Sequence, residues 1–169
     1  DESGSGCRRG VIAIVSAFEP ILTERLVVRR LDTADAEEFS RYRSQPEVYE
    51  FQSFRPRDEG QVWEFFQGLA ELPNVRDSWF QLAVCLREKG VLVGDIGVHF
   101  LEDEAQTEIG YTISPDYQGQ GYGTEAVSAV ISYLFTGLIL LCYLWTKGHL
   151  AGITMGWRCI ADVHQGYPI

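Results

Sequence analysis

The chain has 169 residues, of which 46% are hydrophobic and 22% charged; this suits one globular domain with a sizeable core and excludes a disordered or fibrous chain. A formal net charge of -10 and a pI near 4.7 argue against a surface that binds the phosphates of a nucleic acid, which needs a basic face. The four cysteines, Cys7, Cys85, Cys142 and Cys159, form no CxxC and do not pair with histidine at metal-ligand spacing, so free thiols, a cytoplasmic setting and no metal are expected.

Residues 1–17, "DESGSGCRRGVIAIVSA", show no sustained pattern and are expected to be a tag or a disordered extension. "RRGVIAIVSAF" mimics a signal peptide, but its apolar part is short and is interrupted by Glu19 and Pro20. "RLVVRRL" (25–31) predicts a strand. Asp32 with Asp35 reads as an N-cap and its reciprocal carboxylate, opening a helix over "TADAEEFSRYRSQ" that Pro46 stops. A second helix is expected through "DEGQVWEFFQGLAEL", with Val62, Phe65, Phe66, Leu69 and Leu72 on one face and Pro73 at its end.

From Trp79 the period changes to two. "WFQLAVCLR" and "VLVGDIGVHF" flank "EKG" and predict a hairpin; the polar "EDEAQ" then leads to a third strand, "TEIGYTI". "YQGQGYGTEA" (117–126) follows directly and passes into a helical pattern. The 21 residues from Ala126 to Thr146 carry no charge and are long enough to span a bilayer, which requires a choice. Dividing them at Gly137 gives a helix with an outward stripe of Thr124, Ser128, Ser132 and Thr136 and an inward face of Val127, Val130, Ile131 and Leu134. "LILLCYLW" then reads as a strand buried on both faces. We take helix plus strand, with no membrane partner. The fold expected is α/β: an antiparallel meander followed by a strand-loop-helix-strand crossover in a mixed sheet.

A strand that delivers a glycine turn into a helix N-terminus gathers backbone N–H groups and the positive end of the helix dipole at one point, which suits a phosphate or diphosphate. Gly119, Gly121 and Gly123 let the backbone approach closely, and Thr124 can cap the helix. The dinucleotide fingerprint fails here: the spacing is GxGxG, and no acidic residue lies between Glu125 and Asp162 to take a ribose. A Walker loop fails as well, because no glycine-lysine pair precedes a serine or threonine.

"QGQGYG" (118–123), with its preceding strand and following helix, is similar to the QxxGxG diphosphate loop of the GNAT acyltransferase superfamily. "LTERLVVRRLDTADAEEF" (22–39) resembles the opening of its ribosomal-protein N-terminal acetyltransferase branch. The likeness covers about residues 18–135. It implies that acetyl-CoA is the acyl donor, with Gln118, Gly119, Gln120, Gly121, Tyr122, Gly123 and Thr124 holding the diphosphate and the backbone near Ile113 holding the pantetheine arm. The acceptor it implies is a primary amine on a protein N-terminus, a polyamine or a small molecule, and a homodimer is admitted. By the same resemblance Glu108 is the candidate base, with a structural or orienting glutamate as the alternative. Tyr111, His99 and Asp95 are candidates for the acceptor pocket or for ordinary packing.

After residue 135 the sequence departs from the family pattern of a polar strand and an asparagine-led helix. Of the 14 basic and 24 acidic residues, only Lys147, Arg158 and Asp162 follow Glu125. The expected division is therefore an acyltransferase domain over 18–146 and a divergent or truncated tail over 147–169. No thiolate acid is assigned, Tyr133 and Tyr143 being available. The alternative function is a non-catalytic CoA-binding or interaction module.

Overall fold

The structure, a computed structural model, describes residues 18–50, 54–102 and 107–146, with 137–146 as backbone only. The expected tail at 147–169, the extension at 1–17 and Tyr143 as a side chain lie outside the described residues.

Among the described residues five antiparallel strands form one sheet in sequence order: β1 (Ile21–Leu22), β2 (Leu26–Arg30), β3 (Ser78–Leu86), β4 (Leu92–Phe100) and β5 (Thr107–Ile113). The β3–β4 hairpin turns at Gly90, whose φ of 66° is open to glycine without a Cβ penalty. Its register pairs Gln81 with Gly97 and Ala83 with Asp95, and shifts at Val84/Cys85. Across β4 and β5, Asp95 faces Thr112, Gly97 faces Gly110 and His99 faces Glu108. Alternation therefore sends Asp95, Gly97, His99, Glu108, Gly110 and Thr112 to one face, and Ile96, Val98, Ile109, Tyr111 and Ile113 to the other.

Helices cover both faces. α4 (Tyr122–Thr146) lies on the second face and buries Ala126, Val127 and Val130 against Leu26, Phe80, Leu82, Ile96 and Val98. Each valine, leucine, isoleucine or phenylalanine side chain so buried contributes about 1.5–3 kcal/mol. The first face is packed by α1 (Ala36–Arg43) and α3 (Glu59–Gln67), whose Phe39, Tyr42, Val62 and Phe66 meet Ala83, Cys85 and Leu92. A short α2 (Pro46–Tyr49) starts at the proline expected to end the preceding helix.

The capping box of Asp32 and Asp35 is present, although it opens a single 3-10 turn, Thr33–Asp35, that runs into α1. α3 stops at Gln67, short of Leu72, because Gly68 closes it and the Ala70 amide turns back to donate to the Trp79 carbonyl. The stripe of Thr124, Ser128, Ser132 and Thr136 is exposed, with Val127 and Val130 buried beneath it.

One element differs outright. "LILLCYLW" is not a crossover strand: α4 continues through it to Thr146. A single glycine costs a helix only about 1 kcal/mol, and leucine is a strong helix former. No proline or cap at Gly137 ends the helix, and an apolar run of this length cannot be told apart as strand or helix by its period alone. Among the described residues no helix is long and apolar enough to cross a membrane.

Candidate active site

β5 ends at Ile113, a 3-10 turn spans Pro115–Tyr117, and the glycine turn then carries the chain into α4. Gly119 and Gly121 have φ of 74° and 80°, left-handed values that strain any residue with a Cβ. Gly123 has another reason to be glycine. A Cβ there would stand 2.9 Å from Tyr111 Cε2, so its absence lets the start of α4 lie directly on β5. The Glu125 amide donates to the Gly121 carbonyl at 3.1 Å. The amides of Tyr122, Gly123 and Thr124 precede it in the first turn, where a helix supplies no carbonyl for them.

The loop is braced at its entrance. Ser114 donates its amide to Val93, which by alternation turns the peptide groups of Ile113 toward the open edge of β5. There the Ile113 carbonyl accepts from Gln118 Nε2 at 2.8 Å. The first loop residue and the strand end expected to hold one ligand are thus bonded to each other.

Arg25, at the entrance to β2, was not among the residues singled out from the sequence. Its Nη1 donates to the Gln120 carbonyl at 2.9 Å, its guanidinium lies 4.6 Å from the centre of the Tyr122 ring, and its Nε donates to Glu125 Oε2 at 2.7 Å. Glu125 Oε1 accepts from Thr23 Oγ1 at 2.6 Å and from the Arg25 amide at 2.9 Å. Burial pushes the Glu125 carboxyl upward, but the hydrogen bonds from Thr23 and Arg25 outweigh it and hold the pKa below the ordinary value. Nothing in the local sequence links positions 100 residues apart; only the fold brings them together.

Glu108 lies on the opposite face from α4, and its side chain is 57% exposed. His99 Nδ1 is 3.3 Å from Glu108 Oε2, and the His99 ring stacks on Trp79 with centroids 4.6 Å apart. Beside it Gly110 leaves open space, since a Cβ there would meet nothing within 4 Å. The structure thus puts His99 next to Glu108 and separates the other two candidate liners from it. Tyr111 points to the α4 face. Asp95 is fully buried and spent on the core: it accepts from Tyr42 Oη at 2.6 Å, from Arg43 Nε at 3.1 Å, and from Gln81 Nε2. Tyr133 packs edge-on against Phe18, and burial pushes its hydroxyl pKa up. Among the described residues no group of histidine, cysteine, aspartate and glutamate is placed to hold a metal ion.

Residues 25–166 match the acetyltransferase (GNAT) domain family. The chain belongs to that family. It is accordingly an acyl-CoA-dependent acyltransferase. It is 30% identical over 125 residues to the uncharacterized N-acetyltransferase p20 of Bacillus licheniformis, a match covering 73% of this chain and 70% of that protein. The GNAT-family acetyltransferase of Bacillus anthracis superposes with a TM-score of 0.62 at 27% identity, over 71% of this chain and 68% of that one. The spermidine N-acetyltransferase of Vibrio cholerae, solved with CoA and spermine, has the same fold: TM-score 0.58, 17% identity, 69% and 67% coverage.

Proposed function

We propose that this GNAT protein is a cytoplasmic N-acetyltransferase of the ribosomal-protein N-terminal acetyltransferase branch, using acetyl-CoA to acetylate a primary amine on a protein N-terminus, a polyamine or a small molecule. The opening segment 22–39 supports the branch. The observation that carries the reaction is the glycine turn set at the start of α4, with Gly119 and Gly121 in left-handed conformation and the first-turn amides of Tyr122, Gly123 and Thr124 lacking helical acceptors.

The residues present fit the donor. Amides from Gln118 to Thr124 bind the diphosphate at the positive end of α4, where a side chain on Gly119 or Gly121 would strain the turn. The outward peptide groups of Ile113 hold the pantetheine arm in the manner of an added strand. Acetyl-CoA supplies an activated thioester carbonyl. The acceptor nitrogen must reach that carbonyl as a neutral amine, so its proton has to leave first. Glu108, exposed beside the open space at Gly110, accepts that proton; His99 at 3.3 Å orients the carboxylate. The amine nitrogen would then bond to the acetyl carbon as the carbon–sulfur bond breaks, and the proton that the nitrogen sheds on becoming an amide would go to the sulfur, so that the coenzyme departs as its thiol.

Thiol release from acetyl-CoA over a panel of N-terminal peptides, polyamines and aminated small molecules tests this. Amine-dependent release supports the reading. Coenzyme A that raises the melting temperature with no turnover on any amine would instead leave a binding module, and the absence of both would remove the diphosphate site.

A further inference from the structure

Glu125 sits in the first turn of α4. A carboxylate there complements the helix dipole, yet it places a negative charge beside the amides read above as a diphosphate site, where a second anion would be repelled. The structure resolves the conflict. Both carboxylate oxygens are taken by the β1–β2 turn, through the Thr23 hydroxyl, the Arg25 amide and the Arg25 guanidinium.

The same guanidinium reaches into the loop. Arg25 Nη1 takes the Gln120 carbonyl, Nη2 lies 3.5 Å from the place a Gly121 Cβ would occupy, and the guanidinium stacks on Tyr122. A trans peptide points its carbonyl and its amide hydrogen in opposite directions. Holding the Gln120 carbonyl toward Arg25 therefore turns the Gly121 amide away from Arg25. With glycine at 121 free to take either sign of φ, this peptide would otherwise flip at little cost, and a flip would present a carbonyl oxygen where an amide is needed.

We infer that Arg25 is the positioning residue of the diphosphate loop: it neutralises Glu125 and fixes the orientation of the Gln120–Gly121 peptide, so that the start of α4 offers amides and no uncompensated negative charge to the coenzyme. This rests on the functional reading above and adds a residue outside the loop that governs donor affinity.

Calorimetry with coenzyme A and steady-state kinetics on the full chain test it. Arg25→Ala should weaken coenzyme A binding and raise KM for acetyl-CoA about tenfold or more, the range of a lost charged hydrogen bond, with kcat at saturation within about twofold. Arg25→Ala with Glu125→Gln removes the exposed negative charge and should recover most of that loss; a role in packing alone would make the double variant weaker still. Arg25→Lys, which keeps the charge without the fork, should fall between and covers the case in which Arg25→Ala folds poorly. In the ligand-free protein, hydrogen exchange at Gly121 to Thr124 should quicken in Arg25→Ala. Wild-type affinity in Arg25→Ala, or a double variant no better than the single one, overturns the inference while leaving the diphosphate site intact. Wild-type protein that binds no coenzyme A sinks both.

Discussion

The side-chain amide of Gln118 donates to the main-chain carbonyl of Ile113 at 2.8 Å, tying the first residue of the glycine loop to the last residue of β5. That bond sets the spacing between the turn that takes a diphosphate and the strand end that takes a pantetheine arm. A net hydrogen bond contributes about 0.5–1.5 kcal/mol, so Gln118→Ala should weaken coenzyme A binding by roughly two- to tenfold. Gln118→Glu should be weaker still, because it sets a carboxylate against the carbonyl and near the diphosphate. Titration calorimetry reads both variants, and unchanged affinity in Gln118→Ala would show the brace to be incidental.

Gly123 is governed by contact. Gly123→Ala puts a methyl group 2.9 Å from Tyr111 Cε2 and 3.4 Å from Ile113 Cγ1. The helix gains up to about 1 kcal/mol in propensity, while overpacking costs about 1–3 kcal/mol. We expect a net loss of stability in urea unfolding, with a larger loss of coenzyme affinity as the start of α4 is lifted from β5. A variant more stable than wild type with full affinity would show that Tyr111 gives way freely.

The meander and the glycine turn were legible in the sequence because both are local signals. Period-two alternation marks Trp79 to Phe100, and the Gly119, Gly121, Gly123 spacing can be read without knowing the fold. Glu108 could be placed on its face by counting along one strand. The role of Arg25 could not be read, because its partners Gln120 and Glu125 lie on the far side of the chain and their meeting depends on how β2 and α4 pack. Asp95 could be read from the sequence only as a pocket liner or as ordinary packing; the side chains that decide for packing, Tyr42, Arg43 and Gln81, come from another helix and strand. "LILLCYLW" failed for a different reason. A continuous apolar run carries no period, and residue preference left helix and strand close in free energy.

Arg43 and Asp95 form an ion pair inside the core, with Asp95 at 0% exposure. Arg43→Met should cost about 3–5 kcal/mol, because it leaves a buried carboxylate with Tyr42 and Gln81 as its remaining donors among the described residues. Arg43→Met with Asp95→Asn should cost less than the sum of the two single changes, since neither partner is then a stranded charge. Urea unfolding of the four proteins measures this coupling; simple additivity would mean that the pair does not interact.

Glu125 gives the fold an acid-sensitive component. Its folded pKa lies below the ordinary 4.5, so the ionised form is the one that the native contacts favour. That contribution is complete above the unfolded pKa and is lost as pH falls through the lower folded value. The stability difference between wild type and Glu125→Gln should therefore be constant near neutrality and shrink below about pH 4. A difference that persists unchanged into acid would place the effect of the substitution in shape rather than charge.

Glu108 is the residue on which the proposed chemistry turns. It is the exposed carboxylate of β5 on the face away from α4, and it has His99 beside it and open space at Gly110. Glu108→Gln keeps the size and removes the proton acceptor. If the carboxylate takes the amine proton, kcat should fall about a hundredfold or more while coenzyme affinity stays the same, since general-base catalysis contributes about 10²–10⁴-fold. The loss should shrink as pH rises toward the pKa of the acceptor amine, because an amine already neutral in solution needs no base. An orienting glutamate would behave differently, raising KM for the amine at every pH with kcat largely kept. The pH profile of the variant therefore separates the two roles in a way that a single rate cannot.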